Sequence, residues 1–385
     1  MTIATIENFS RRQFLQAGGI GLLGALTVRG SQLGCYRVLY IGTYTSGKSE
    51  GIYRYLVNPA GTLGASGSFK SINPSFVTID RNREYLYTVN EVGEYEGKPG
   101  GYVSAFQIKP TELVLLNQQA THGADPCYLT VDNKRKNLLV ANYTGGNVTV
   151  LPIRRDGTLG PATDVKQHQG SGPKEQQKGP HAHCVILDRS ERHALVADLG
   201  IDKVMIYRFD KSDGKLKPNQ KQPYAELKAG AGPRHLTFHP NGKYLYAINE
   251  LDSTLTSFNY DDDDGKLTQI ETVSTLPSDF SGVSYCADVH ISPSGRFLYG
   301  SNRGHNTIVV FAIDVQSGKL KLIEHVSTAG DWPRNFTIDP EGRFLLVANQ
   351  RSDNVVTFSI NPETGKLMQT EILEALPSPV CLKFV

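Results

Sequence analysis

His183, Arg234 and Arg334 each follow a Pro or a residue standing in its place, and Glu91, Glu250, Arg303 and Gln350 each follow an Asn. His181, His235, Asp288, His290 and His305 lie close to these positions. Arg offers a planar fork of donors that grips a carboxylate or phosphate through two hydrogen bonds. His and Glu are the usual general acid–base groups. Glu250, Arg234 and His183 are therefore candidate site residues able to serve acid–base chemistry or an oxyanion. His181, His235, Asp288, His290, Arg303 and Arg334 are the candidate substrate-binding residues, and the mixture suits a small anionic substrate. Each also has a structural reading. A lone His can be a core residue bonded to its neighbour, and Arg234 can form a salt bridge with Glu250. The triplet His181-Ala182-His183 puts two imidazoles on one side of a strand, but no third ligand at a metal-binding spacing accompanies it. No metal and no cofactor is expected. A Gly-x-Ser-x-Gly elbow and a Walker loop are both missing.

These residues can meet only if a repeated scaffold brings them together. TIDRNREYLYTVNE at 78–91 has counterparts at 129–143, 185–199, 236–250, 290–303 and 336–350. Repeats at roughly 50-residue spacing, made of short alternating segments and tight turns, indicate a β-propeller. Pro74 to Asn90, Pro126 to Asn142, Pro233 to Asn249 and Pro333 to Asn349 share one interval, and Ala182 to Asp198 and Cys286 to Asn302 repeat it. Pro379 to Val385 matches a first strand alone, whereas Arg37 to Gly42 and Gly51 to Tyr55 match second and third strands. The expected fold is all-β: a seven-bladed propeller, four strands per blade, its last blade closed by both termini. In such a ring the first strand lines the channel. Its entry and the end of the second strand share one face, so the loaded positions should converge on one mouth. The Gly-, Lys- and Gln-rich segment 167–180 should border that face as a flap or a surface loop.

The bulk composition excludes other classes. Lys+Arg 40 against Asp+Glu 38 gives a net charge of +2, which is no footprint for nucleic acid. The acidic run Asp261 to Asp264 reads as a solvated turn, since it lacks the spaced ligands of a calcium loop. Cys35, Cys127, Cys184, Cys286 and Cys381 are far apart and odd in number, which supports neither a zinc site nor a disulfide framework. Arg11-Arg12 precedes an apolar stretch from Ala17 to Val28, the pattern of a twin-arginine export signal. That stretch is shorter than the ~20 residues a membrane span needs, so no stable membrane anchor is expected. Residues 1–34 are read as export signal and spacer and 35–385 as the propeller. The expected location is periplasmic, reached through the twin-arginine machinery, with a cytoplasmic location if the signal is misread.

Gly179-Pro180-His181-Ala182-His183, Gly232-Pro233-Arg234-His235, Ser301-Asn302-Arg303-Gly304-His305 and Trp332-Pro333-Arg334-Asn335 occur in order. With them, residues 37–385 resemble the seven-bladed lactonase family, which includes propeller-type 6-phosphogluconolactonases and fungal carboxymuconate lactonizing enzymes. The resemblance implies opening of a sugar lactone by water, or muconate-type lactonization in the reverse sense. It implies a His, two Arg and a Glu at the site. These map onto His183 or His181, Arg234 with Arg303 or Arg334, and Glu250. A non-catalytic propeller that binds partners is the rival outside enzymology.

Overall fold

The interval between the Pro and Asn positions is a strand pairing. In the computed structural model, which describes residues 36–373 and 375–385, Pro126 faces Asn142, Pro233 faces Asn249 and Pro333 faces Asn349. Ala182 faces Asp198 and Cys286 faces Asn302 in the same way. Each first strand pairs antiparallel with a second, the second with a third, and the third with a fourth. The result is seven four-stranded sheets, one of which (blade 3) carries an additional edge strand, Tyr224–Glu226. Blades 1 to 6 follow the chain, with first strands Val77–Ile79, Pro126–Val131, Ala182–Leu187, Pro233–Phe238, Tyr285–Ile291 and Pro333–Ile338. Blade 7 takes its first strand, Pro379–Phe384, from the C-terminus and the other three from Arg37–Lys70. Residues 1–34, read above as export signal, lie outside the described residues, as does Cys35.

Apolar faces of neighbouring blades pack against each other. Leu195, Val204 and Ile206 of blade 3 meet Leu236, Leu245 and Phe258 of blade 4. Ring closure is made the same way: Leu39, Ile41 and Leu382 of blade 7 pack on Leu346, Ala348 and Val355 of blade 6. Burial of such side chains stabilises by about 1.5–3 kcal/mol each. A closed ring also leaves only short edges unpaired.

The entry to each first strand shapes the mouth. The pairing register slips one residue past the Pro position in blades 2, 3, 4 and 6, at Cys127, His183, Arg234 and Arg334. Blade 7 slips at the same place, between Pro379 and Cys381. Blade 5 slips further, between Cys286 and Val289. A bulge of this kind bends the strand and re-aims the extra side chain. The residue before the Pro is left-handed in five blades: Asn73, Asp125, Gly232, Trp332 and Ser378. At Gly232, with φ 66°, an added Cβ would also lie 2.5 Å from the Leu251 side chain. Only Gly fits there.

Candidate active site at the channel mouth

Five of the bulges, with the entry to blade 1, gather residues from six blades. Ser75, Cys127, His183, Arg234, Arg334 and Val380 line one narrow cavity of about 10 Å³ on the channel, with Phe76, His235 and Asn335 beneath them. Blade 5, the one blade not yet counted, contributes a backbone group: Ala287 O accepts from Arg234 Nη1 at 2.5 Å. The uncharged members Ser75, Cys127 and Val380 are thus as much part of the ring as the charged ones.

A second tier comes from the ends of the second strands. Glu250 Oε2 lies 2.9 Å from Arg234 Nε and 2.8 Å from Arg303 Nη2. The first pair lies within blade 4, and the second crosses to blade 5. Both contacts fall on Oε2, so Oε1 makes neither. Burial would raise the Glu250 carboxyl, but Arg303, Arg234 and Arg334 outweigh it and hold the group below its usual 4.5. Burial and the charges of Arg303 and Arg334 bring Arg234 down to about 10, still protonated at neutral pH. His183 is kept well below 6.5 by burial and by the charges of Arg234, His235 and Arg334, so its imidazole is neutral. Across the mouth, Tyr44 donates to Glu91 Oε1 at 2.8 Å, and Arg334 Nη2 approaches the same oxygen at 3.9 Å. Glu250 and Glu91 both act on the charge of Arg334. Three guanidinium groups and two carboxylates therefore share one opening.

Other expected binding residues do support work. Asp288 accepts from His235 Nδ1 at 2.7 Å and His290 Nε2 at 3.0 Å, and Asn335 Nδ2 adds a third bond. Burial opposes its ionisation, yet His290 and His235 hold it well below the carboxylate range. An ionised acceptor requires the proton on His235 Nδ1, which leaves Nε2 to accept from Arg234 Nη1 at 3.1 Å. Asp288 and His235 thus orient Arg234 from below the cavity. His290 lies two residues farther along the strand, away from the mouth. His181 turns aside: its Nδ1 bonds Tyr143 O at 3.0 Å and its ring stacks on Tyr143. His305 packs on Phe280 and bonds Thr307. Segment 167–180 is pinned rather than free, since buried Gln177 donates to Leu199 O and Asp202.

Tyr44, Tyr143 and Trp332 were not singled out by the sequence reading. Tyr143 follows Asn142, and Tyr44 follows Thr43, which faces Pro379. The same frame that selects Glu250 selects both. Tyr143 is raised to about 12 by burial and by the nearby Glu250 charge, so it stays a donor. Trp332 packs between Arg351 and Arg303, whose guanidinium carbons lie 3.5 and 5.3 Å from its ring. Among the described residues no group of three or more His, Cys, Asp or Glu side chains is arranged to hold a metal. Among the described residues Cys127, Cys184, Cys286 and Cys381 are buried and unpaired.

Residues 38–384 match the model of the family described as "Lactonase, 7-bladed beta-propeller". The chain belongs to this family. It is 37% identical over 350 residues to the 6-phosphogluconolactonase of Bacillus subtilis, covering 90% of this chain and 97% of that one. It is 36% identical over 309 residues to a 6-phosphogluconolactonase of Formosa agariphila, covering 78% and 86%. The solved structure of the Pseudomonas aeruginosa periplasmic gluconolactonase PpgL superposes with a TM-score of 0.86 at 34% identity, covering 91% of this chain and 99% of that one. The lactonase fold therefore extends around the whole ring and includes both terminal contributions to blade 7.

Proposed function

We propose that this lactonase-family chain hydrolyses the ring ester of a sugar acid, an aldonolactone of the kind named for its relatives. The observation that carries the reading is the Glu250 carboxylate, held ionised between Arg234 and Arg303 with neutral His183 beside them. Glu250 Oε1 takes a proton from water while His183 orients that water. The water oxygen attacks the lactone carbonyl. Arg234, fixed by His235 and Ala287 O, neutralises the oxyanion that forms. As the intermediate collapses, the ring C–O bond breaks and the leaving oxygen takes the proton held on Glu250. One water is consumed, and a hydroxy acid is released. Arg303 and Arg334 remain to receive the anionic part of the substrate or product. General-base help of this kind is worth roughly 10²–10⁴-fold.

The test is a panel of sugar lactones, phosphorylated and unphosphorylated, assayed by acid release with wild type and Arg234→Ala. Turnover by wild type, reduced about 10²–10³-fold in the variant, supports the reading. Equal rates from both proteins remove Arg234 from the mechanism. Lactonization of a muconate-type diacid by wild type, with no sugar-lactone turnover, would replace hydrolysis by the reverse reaction.

Residues 1–34 are further read as a twin-arginine export signal, which matches the periplasmic location named for the Pseudomonas relative. Replacing Arg11-Arg12 with Lys-Lys should hold a tagged protein in the cytoplasm. Unchanged fractionation would defeat this reading.

A further inference from the structure

The two sides of the mouth differ in chemistry. Around Glu250 two guanidinium groups, Arg234 and Arg303, crowd one carboxylate oxygen. On the side formed by blades 6, 7 and 1, acceptor oxygens lack donors. Glu91 Oε2, Gln350 Oε1 and Ser75 Oγ are buried and find no hydrogen-bond partner among the described residues. Glu91 and Gln350 occupy the same frame position in their blades as Glu250 does in blade 4, and Ser75 belongs to the cavity lining. Tyr44 fixes Glu91 through Oε1 and leaves Oε2 free. Arg334 lies on the Tyr44 ring, its guanidinium carbon 5.3 Å from the centroid, and keeps the carboxylate compensated. Buried acceptors left without donors are costly, and a site built around them discriminates strongly for a ligand that supplies the donors. A carboxylate tail supplies none, because an ionised carboxylate only accepts. Ring hydroxyls supply several.

From this geometry we propose that Glu91, fixed by Tyr44 and aided by the unpartnered acceptors of Gln350 and Ser75, is a hydroxyl-binding station that selects a polyhydroxylated lactone over a dicarboxylic one. The proposal rests on the lactone-hydrolysis reading above and deepens it.

The test compares kcat/KM for glucono-δ-lactone with that for δ-valerolactone, which has the same ring and no hydroxyl groups. Wild type should prefer the sugar lactone. In Glu91→Ala the ratio of the two values should fall about 10- to 100-fold, and Tyr44→Phe should lower it less, in the same direction. If Glu91→Ala does not fold, Glu91→Gln serves instead, with an intermediate fall expected because one acceptor oxygen of lower charge is kept. A ratio within about twofold of wild type in a folded Glu91 variant overturns the station. So does faster turnover of a dicarboxylic lactone than of glucono-δ-lactone by wild type. If wild type opens no lactone, the hydrolase reading fails and takes this proposal with it. An active enzyme with an unmoved ratio removes this proposal alone.

Discussion

Glu250 and His183 meet the same difficulty from opposite sides. Both are buried among cations, and both lose basicity there. The arrangement keeps Glu250 ionised and His183 neutral through the neutral range, so neither changes form there. The pH profile of kcat/KM should therefore lack an inflection near 6.5, falling in the acid limb below 4.5 and again only as Arg234 loses its proton near 10. An inflection near 6.5 would mean that His183 titrates at its ordinary value. Stability carries a related signature. Burial and Arg234 lower His235 from 6.5 to about 4. The unfolded chain then binds the proton more readily, so this contribution is complete above 6.5 and drains away as pH falls toward 4. His235→Gln should flatten the decline of melting temperature across that window. An unchanged slope would show that His235 does not titrate as described. Much of this was legible in the residues alone: Arg234, Glu250, His183, Arg303 and Arg334 were chosen by frame position and do meet. The division of labour was not legible. That Asp288 and His235 support Arg234, and that His181 turns to Tyr143, depends on where side chains point after a bulge. Residue spacing does not encode that.

At the scale of elements, the bulge entering the first strands of blades 2 to 7 is the device that builds the site. It places the residue after the Pro on the channel, whether that residue is Arg234 or Val380. The left-handed residue before the Pro sets the bend. Gly232→Ala should therefore destabilise by about 1–2 kcal/mol, read as a shift in denaturant midpoint, and should also lower turnover by displacing Arg234. Wild-type values for both would show that the bend is not tightly held. Trp332 adopts φ 67° at the same position, a costly conformation for a bulky residue. Its packing between Arg351 and Arg303 accounts for its presence there. The strands and their pairing could be read from the Pro and Asn intervals because the period of the pattern is the period of the structure. The bulges could not, because one extra residue per strand leaves that interval unchanged.

At the scale of the molecule, the ring is closed by pairing Pro379–Phe384 with Arg37–Thr43, which joins the two ends of the sequence. This was legible from a lone first strand at the end of the chain and a missing one at its beginning. Deleting residues 379–385 should leave one edge of Arg37–Thr43 unpaired and expose Leu346 and Val355, so the truncated chain should lose its cooperative melt. A truncated chain that melts like the full one would contradict closure by this strand. A closed ring is also what allows residues from blades 1, 3, 4, 5 and 6 to act on one ligand. The most direct test of that convergence is acid release from glucono-δ-lactone, above the spontaneous rate, by wild type and Glu250→Gln, with circular dichroism confirming that both are folded. The expected result is clear turnover by wild type and a fall of about 10²-fold or more in the variant. Folded Glu250→Gln with the wild-type rate would contradict the account.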